Sequence, residues 1–503
     1  MIQKTKIKKI LLIQPPCTIS KSYTKEIQPP LGLGYIAAVL EGNYEVKILD
    51  AVVEGWHTQI LEGKDRFRYG LSFKEIEKAI LEYNPDVVGI SCLFSMQAHN
   101  AHKVAQLAKQ VNKAMITIMG GAHPSVQAEQ VLGDENIDYV VLGEGEYTVL
   151  KLLDHVKEGK DLSLVDGIGY RKNKDIIINK KTTFIENLDE LPFPARHLLN
   201  MEKYFKINMP HGVTTRRSPN TPMITSRGCP AECIFCAIHP IWGKKFRARS
   251  PENVIQEIKH LKQEYGVKEI QFEDDNLTFD KKRALKIFDL MISVNLEMLW
   301  TTPNGVALWA MDEAMLLKMK ESGCYRLCLA IESGDQDVLH KIINKPLDLK
   351  KAEHLITLAH KYGFETDAFF VIGFPGETKE QIKKTFKFGR GLKVSNVLYY
   401  IATPYPGTRL YDVCVNGNYL VKDFQINSLG VKKGVISTPE FTPAELEKMV
   451  SREKLVFLMM LVFRDPHAFY VKVIKRFVQD PSYVINMFKG TVRKMLRHPM
   501  TGR

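Results

Sequence analysis

The sequence predicts an α/β protein, in which a doubly wound parallel sheet is followed by a partial (βα)6 TIM-like barrel and a helical carboxyl-terminal region. Apolar runs alternate with amphipathic stretches through residues 1–150, and the alternation resumes over residues 221–420. Such alternation is typical of βαβ units and parallel sheets. Residues 151–220 have prolines and little periodicity and are interpreted as a linker, whereas residues 421–503 have helical spacing.

Length and composition set broad limits. The chain has 503 residues, of which 45% are hydrophobic and 25% charged, which predicts two to four globular domains. The net charge of +13 suits an anionic cofactor, substrate, membrane surface or nucleic acid, or simply a basic solvated surface. Eight cysteines are too few for a disulfide framework, and the apolar runs at 10–13 and 455–463 are too short for a signal peptide or a membrane span. These features predict a cytoplasmic protein.

The first region has five predicted strands separated by helical stretches. The strands are "KKILLIQPP", "YEVKILDA", "VVGISCLF", "MITIMGG" and "YVVLGEGE". In an open parallel sheet, ligands bind beyond the carboxyl ends of the strands. Three polar turns lie there and predict a cofactor cleft, with ordinary strand-to-helix turns as the alternative. The candidate contacts in these turns are Ser91, Ser95, Gly120, Gly121, His123 and Glu144.

Three cysteines follow the predicted strand "PMITS", in the stretch "SRGCPAECIFC". They are Cys229, Cys233 and Cys236. A closed zinc site needs four ligands, and no second C-x-x-C pair follows, although His239 could serve as a fourth ligand. An iron–sulfur cluster held by only three thiolates keeps one iron open for another ligand. The spacing therefore favours a cluster with a chemical role.

The region after the cysteines again alternates strands with helices. Its later strands are predicted at "EIQFEDD", "MLWTTPNG", "YRLCLAIESG", "TDAFFVIGFPGE" and "NVLYYIATPYPGT". Barrel enzymes place their chemistry at the carboxyl ends of the strands, and polar residues cluster at these strand ends. The candidate contacts there are Glu273, Asp274, Glu332, Gly373 and Pro404.

Two resemblances give these positions a chemistry. The C-x3-C-x2-C spacing, with Phe235 before the last cysteine, resembles the radical SAM superfamily. The segments "PPLGLGYIAAVLE", "DVVGIS", "GGAHPSVQAEQVL" and "DYVVLGEGE" resemble the cobalamin-binding domain that precedes some radical SAM barrels. Together the resemblances cover roughly residues 8–420 and identify the chain as a member of the cobalamin-binding (class B) radical SAM enzymes.

This resemblance implies three cofactors: a [4Fe–4S] cluster on the three cysteines, S-adenosylmethionine and cobalamin. It implies that Glu273 and Asp274 hold the ammonium group of S-adenosylmethionine and that Glu332 meets its ribose. Gly373 and Pro404 belong to motifs near its adenine and at the sixth strand end. Because no Asp-x-His-x-x-Gly motif occurs, base-off cobalamin without a histidine ligand is expected. His123 then contacts corrin amide side chains or supports its own loop.

The activity implied by the resemblance begins with reductive cleavage of S-adenosylmethionine to a 5′-deoxyadenosyl radical, which abstracts hydrogen from a substrate carbon. Methylation of an unactivated carbon through methylcobalamin is the first interpretation. Oxidative cyclisation or rearrangement, as in anaerobic tetrapyrrole ring formation, a lipid-modifying radical reaction, and a cobalamin sensor with an inactive barrel are the alternatives. The expected partners are an organic substrate and an electron donor such as flavodoxin or ferredoxin, but no nucleic acid.

The tail has three predicted helices, "PAELEKMVSREKLVFLMMLVF", "HAFYVKVIKRFVQ" and "PSYVINMFKGTVRKMLRH". The last two are basic and amphipathic. They suit a lid over the substrate, or peripheral contact with an anionic membrane that carries a lipid substrate. A helical cap packed on the barrel is the simpler alternative.

Overall fold

The computed structural model describes residues 6–21, 23–212, 215–426, 429–464 and 470. The chain divides into two compact units. One consists of residues 1–230 and 237–274, and the other of residues 231–236 and 275–503.

The first unit contains fourteen strands and ten α-helices within its described residues. The strands are β1 (Lys9–Gln14), β2 (Cys17–Ser20), β3 (Glu45–Asp50), β4 (Gln59–Glu62), β5 (Arg66–Tyr69), β6 (Val87–Ser91), β7 (Ile116–Gly120), β8 (Tyr139–Val141), β9 (Ile168–Lys172), β10 (Asp175–Asn179), β11 (Asn220–Met223), β12 (Ser226–Arg227), β13 (Arg247–Ala248) and β14 (Glu269–Phe272). The helices are α1 (Leu31–Leu40), α2 (Ala51–Glu54), α3 (Phe73–Tyr83), α4 (Ala98–Val111), α5 (Ala122–Val126), α6 (Ala128–Leu132), α7 (Glu146–Glu158), α8 (Met201–Ile207), α9 (His239–Trp242) and α10 (Pro251–Tyr265).

A seven-stranded sheet forms the centre of this unit, with the strand order β10-β9-β8-β7-β6-β1-β3. The five strands from β8 to β3 run parallel, as predicted. The chain moves first to one side of β1 and then to the other, so the winding direction changes between β1 and β6. In sheets of this order the switch point is where ligands bind.

Helices cover both faces of the sheet because its central strands are apolar on both sides. Ile76, Ile80 and Val104 pack on one face, and Ala37 and Leu152 belong to the cluster on the other. Two antiparallel strands, β9 and β10, extend the sheet within the segment that the sequence suggests is a linker. A separate sheet of order β2-β5-β4 was also not predicted, because its strands are short and its β4 is largely exposed.

The first two strands of the predicted barrel, β11 and β14, are parallel neighbours in this unit. Between them, β12 and β13 pair in an antiparallel manner, with Ser226 opposite Ala248 and Arg227 opposite Arg247. This short ladder closes the segment in which the cysteines lie.

The second unit contains the remaining barrel elements. Its strands are β15 (Leu299–Val306), β16 (Cys324–Glu332), β17 (Glu365–Ile372) and β18 (Asn396–Ile401), and its helices are α11 (Lys281–Ser293), α12 (Glu313–Glu321), α13 (Leu349–Lys361), α14 (Lys379–Gly391), α15 (Arg409–Asn416) and α16 (Pro443–Arg464). The four strands are parallel and pair in sequence order. The strand and helix alternation confirms the predicted fold class.

Helix α16 corresponds to the first of the three helices predicted in the tail. The other two predicted helices, at residues 467–479 and 481–498, lie outside the described residues apart from Tyr470. Among the helices that the structure describes, none combines the length and apolar character needed to cross a bilayer.

Candidate active site

The base of the cysteine loop is held tightly in the first unit. His239 Nε2 lies 2.9 Å from the carbonyl oxygen of Cys229. Gly228 precedes this cysteine with φ +83°, and a Cβ there would lie 2.4 Å from the carbonyl oxygen of Lys245. Only glycine fits such a close backbone approach at positive φ. The first cysteine is therefore presented by a constrained turn.

The other two cysteines lie in the second unit, on a segment fixed from both sides. The backbone N–H of Ile234 donates to Ile343 O at 2.8 Å, and its carbonyl accepts from Leu410 N at 2.9 Å. The Phe235 ring lies 5.9 Å from the ring of Phe374, which follows β17. All three cysteines are partly exposed, and none of them forms a disulfide.

A buried ion pair lies beside the two cysteines of the second unit. Lys345 Nζ is 3.0 Å from Glu332 Oε1, at the end of β16 where the sequence predicts a ribose contact. Burial lowers the pKa of Lys345, but Glu332 and the thiols of Cys233 and Cys236 outweigh burial and raise this pKa above its ordinary value. A cation here compensates the negative charge of cysteine thiolates. Sequence reasoning missed Lys345, because no local pattern connects it to Glu332.

The end of β17 forms a tight turn around a buried carboxyl group. Glu377 Oε2 accepts from the backbone N–H groups of Gly373 at 2.6 Å and Phe374 at 3.1 Å. Burial raises the pKa of Glu377 to about 7. Gly373 has φ +90°, and a Cβ there would lie 2.5 Å from Leu446 Cδ1 of α16. Pro404 is buried just beyond β18.

The two acidic residues after β14 have different surroundings. Asp274 is buried and accepts hydrogen bonds from Thr225 Oγ1 at 2.7 Å and Ser226 Oγ at 2.5 Å. Glu273 contacts Gln28 Nε2 at 2.9 Å and His211 Nδ1 at 3.2 Å. Asp274 thus braces the strand that leads into the cysteine loop, while Glu273 belongs to a more open polar group.

The predicted cobalamin contacts lie at the carboxyl edge of the seven-stranded sheet. Ser91 and Gly120 end β6 and β7 and are opposite each other. Gly121 has φ +115°, and a Cβ there would lie 2.6 Å from the carbonyl oxygen of Cys92. This glycine therefore permits a close backbone contact within the protein. Beyond it, His123 Nδ1 lies 3.1 Å from Ser95 Oγ.

Glu144 lies in the third predicted turn, after β8, but it is 2% exposed and faces inward. Its Oε1 pairs with Arg227 and Arg247, and its Oε2 accepts from the backbone N–H of Ile185. The structure thus brings Ser95 and His123 together and gives Glu144 internal partners. Sequence reasoning missed the two arginines, although Arg227 stands two residues before Cys229.

The residues at this edge fit a bound cobalamin. His123 is 1% exposed, and its Nε2 has no hydrogen-bond partner among the described residues. Gln14 ends β1 at the switch point, and its Oε1 likewise has no partner in that part of the chain. Leu93 and Phe94, on the loop after β6, are 51% and 60% exposed. A buried polar atom without a partner needs an explanation, and a bound ring with amide side chains would supply one.

Comparisons with known proteins agree with this arrangement. Residues 22–153 match the B12 binding domain, and residues 223–389 match the radical SAM superfamily. The chain is 38% identical to the cytidylyl-2-hydroxyethylphosphonate methyltransferase of Streptomyces wedmorensis, over 86% of each chain. It is 33% identical to an uncharacterized methyltransferase of Pyrococcus horikoshii, over 94% of this chain and 98% of that protein.

Less similar proteins include a cyclase and a protein of known structure. The anaerobic magnesium-protoporphyrin IX monomethyl ester cyclase of Rubrivivax gelatinosus is 28% identical over 76% of this chain and 66% of that protein. The structure of the cobalamin-dependent S-adenosylmethionine radical enzyme OxsB, with aqua-cobalamin bound, gives a TM-score of 0.70 at 16% identity. That match covers 98% of this chain and 80% of that chain. The solved structure supports the fold.

The two matched domains confirm the predicted cofactor classes, and the identity to the Streptomyces protein spans most of both chains. The chain belongs to the cobalamin-binding radical SAM methyltransferase family.

Proposed function

We propose that this enzyme methylates an unactivated sp3 carbon of an organic substrate. The observation that carries the proposal is the 38% identity, over 86% of each chain, to a protein named as a methyltransferase. The cyclase relative is less similar and matches less of its own length. When bound, the cluster and S-adenosylmethionine supply a 5′-deoxyadenosyl radical, and cobalamin supplies the methyl group.

The protein's residues hold these groups and orient them. Cys229, Cys233 and Cys236 bind the cluster. Glu332, held by Lys345, receives the ribose of S-adenosylmethionine, and the turn at Gly373 lines its adenine. Phe235, Glu273, Asp274 and Pro404 complete the proposed surroundings of S-adenosylmethionine.

The carboxyl edge of the sheet holds cobalamin in this proposal. Ser95 orients His123, and the Nε2 of His123, which is buried and has no partner among the described residues, is proposed to bond a corrin amide group. Ser91, Gly120 and Gly121 shape the same edge. The proposed domains are residues 1–150 for cobalamin, 151–220 as connection, 221–420 for the barrel and 421–503 as the carboxyl-terminal region.

The remaining partners follow from the chemistry. A reduced flavodoxin or ferredoxin supplies electrons to the cluster. Cytidylyl-2-hydroxyethylphosphonate, named for the Streptomyces relative, is the first substrate to test. The enzyme works in the cytoplasm, and its tail beyond residue 440 covers the barrel or contacts a membrane surface. Liposome pelleting of the full chain against a version ending near residue 440 separates these two roles.

Isotope labelling tests the transfer. The reconstituted enzyme is supplied with S-adenosylmethionine bearing a deuterated methyl group, a reductant and either cytidylyl-2-hydroxyethylphosphonate or fractions of a host lysate. A product that carries the deuterated methyl group on carbon supports methylation. Formation of 5′-deoxyadenosine with an unlabelled, oxidised product supports cyclisation. The Cys236→Ala variant is the control and should give neither product, since the cluster loses one of its ligands.

A further inference from the structure

Four buried charged side chains connect the cobalamin-binding sheet with the base of the cysteine loop. Arg227 Nη1 lies 3.0 Å and Arg247 Nη1 lies 2.6 Å from Glu144 Oε1. Arg227 Nη2 lies 2.6 Å from Glu146 Oε1. None of the four residues is more than 4% exposed. Since a charge buried without a partner costs several kcal/mol, each of these side chains depends on its partners in the network.

The two arginines occupy a particular place in the fold. Arg227 and Arg247 are opposite each other in the β12–β13 ladder, and residues 228–246 form the segment that this ladder closes. One carboxylate oxygen of Glu144 therefore bonds to both strands of this ladder, which we call the closure of the cysteine loop. Glu144 and Glu146 come from the other part of the unit, at the turn between β8 and α7.

The closure extends to the first cysteine through a short helix. Arg247 Nη2 donates to Trp242 O at 2.7 Å, and the guanidinium of Arg227 lies 4.7 Å from the centre of the Trp242 ring. Trp242 ends α9, which begins at His239. His239 Nε2 in turn contacts Cys229 O at 2.9 Å. A continuous series of contacts thus runs from Glu144 to the backbone of Cys229.

Glu144 has little capacity left for a cofactor. Its Oε1 bonds two guanidinium groups, and its Oε2 bonds the N–H of Ile185 at 2.7 Å. Arg247 also donates to Ile185 O at 2.7 Å, so Glu144 and Arg247 together bond both backbone polar groups of Ile185.

We propose that Glu144 is a positioning residue for the iron–sulfur cluster, acting through Arg227 and Arg247, rather than a contact of cobalamin. Its carboxylate fixes the base of the cysteine loop to the turn after β8. This inference rests on the proposed assignment of Cys229 as a cluster ligand. Removing the groups that orient a metal ligand commonly lowers metal affinity by about 10- to 100-fold.

The test compares two cofactors in the holoenzyme carrying Glu144→Gln. The amide keeps the shape of the side chain but removes the charge shared by the arginines. We expect iron to be lost about tenfold faster during anaerobic dialysis, with an altered electron paramagnetic resonance spectrum of the reduced cluster. Cobalamin affinity, followed by its visible absorption, should stay within about twofold of the unmodified enzyme, which is below the effect of one lost hydrogen bond.

A matched control is Glu257→Gln. Glu257 is also fully buried and also bonds two arginines, but these are Arg196 and Arg249 rather than the two arginines of the β12–β13 ladder, and Glu257 lies on α10. Its variant should retain iron. Because the two cofactor measurements need neither substrate nor turnover, they are independent of the proposed methylation.

Several outcomes would overturn the proposal. Lost cobalamin affinity with retained iron would assign Glu144 to cobalamin. No change in either cofactor, equal loss of both, or the same iron loss in Glu257→Gln would show that Glu144 does not specifically position the cluster. If Glu144→Gln does not fold, Glu146→Gln replaces it, since that change weakens the hold on Arg227 alone and should raise iron loss in the same direction.

Discussion

Lys345 Nζ lies 3.0 Å from Glu332 Oε1, and both side chains are buried in the second unit. Glu332 adopts φ +72°, an uncommon conformation for a residue with a side chain. It lies at an irregularity in the pairing of β16 with β17. The ion pair therefore stabilises a strained strand end at the place where a ribose contact is proposed.

Breaking this pair should be costly. In Lys345→Met, the carboxylate of Glu332 loses its partner in a buried position, and the free energy of unfolding should fall by about 3–5 kcal/mol. Replacing both residues with methionine should recover most of that loss, since no unpaired charge remains. Urea unfolding followed by tryptophan fluorescence measures the effect, because Trp309 lies 5.2 Å from Lys345 Nζ. If the loss of unfolding free energy in the double variant equals the sum of the losses in Lys345→Met and Glu332→Met, the two residues do not couple.

Protonation of His123 should make the free energy of unfolding depend on pH. Burial lowers the pKa of His123 to about 4, whereas an unfolded histidine titrates near 6.5. Between pH 6.5 and pH 4, the unfolded chain therefore binds a proton at His123 that the folded chain does not bind. The contribution of His123 to the free energy of unfolding is complete above pH 6.5 and is lost as the pH falls towards 4. The full effect is at most about 3 kcal/mol.

The measurement for His123 is the melting temperature of the protein without cofactors at pH 7 and pH 5. The unmodified chain should lose more on acidification than His123→Gln, since glutamine does not titrate. Equal losses in the two proteins would mean that His123 is not held neutral by burial.

Glu377 should give the stability a pH dependence of the opposite sign to that from His123. Burial raises its pKa to about 7, above the ordinary value of 4.5, so its contribution is complete at low pH and is lost as pH rises through 7. Glu377→Gln should flatten this decline while it keeps an oxygen to accept from Gly373 N and Phe374 N. Melting temperatures at pH 5.5 and pH 8, chosen at about 1 unit or more on either side of 7, test the difference. A decline of the same size in both proteins would contradict the assignment.

Gly120 and Gly121 provide a matched pair of substitutions. A Cβ at Gly121 would lie 2.6 Å from Cys92 O at φ +115°, but one at Gly120 would find its nearest neighbour at 4.0 Å. Gly121→Ala should therefore destabilise the first unit by about 1–3 kcal/mol and weaken cobalamin binding, because the loop with Ser95 must shift. Gly120→Ala should change the stability much less, since a Cβ there meets no close neighbour in the protein. Thermal melting compares the two variants, and an equal loss of stability in both would refute the steric explanation; cobalamin titration measures the effect of Gly121→Ala on the cofactor.

The sequence allowed the main elements to be predicted because their physical signals are local. Apolar strands and amphipathic helices recur with clear periods, as in β6 and α3, and the spacing of three cysteines in one loop favours an iron–sulfur cluster. The extra sheet of β2, β4 and β5 gave no such signal. Its strands have four residues each, and side chains of β2 and β5 pack in one cluster with Trp56.

The partners of the site residues could be found only in three dimensions. Lys345 follows Glu332 by thirteen positions, across a π-helical turn at Val338–Ile343, and nothing in that spacing indicates contact. Glu144 and Arg227 are separated by 83 positions. Polar residues at strand ends were identified from sequence, but their orientation depends on tertiary packing.

The central claim is methyl transfer, and the ratio of two products tests it most directly. During anaerobic turnover, 5′-deoxyadenosine and S-adenosylhomocysteine are quantified together in one reaction. Methylation of an unactivated carbon consumes one S-adenosylmethionine for the radical and another for the methyl group, so equal amounts are expected. Sustained formation of 5′-deoxyadenosine with substrate conversion but without S-adenosylhomocysteine would contradict the account and indicate a cyclase or rearrangement enzyme.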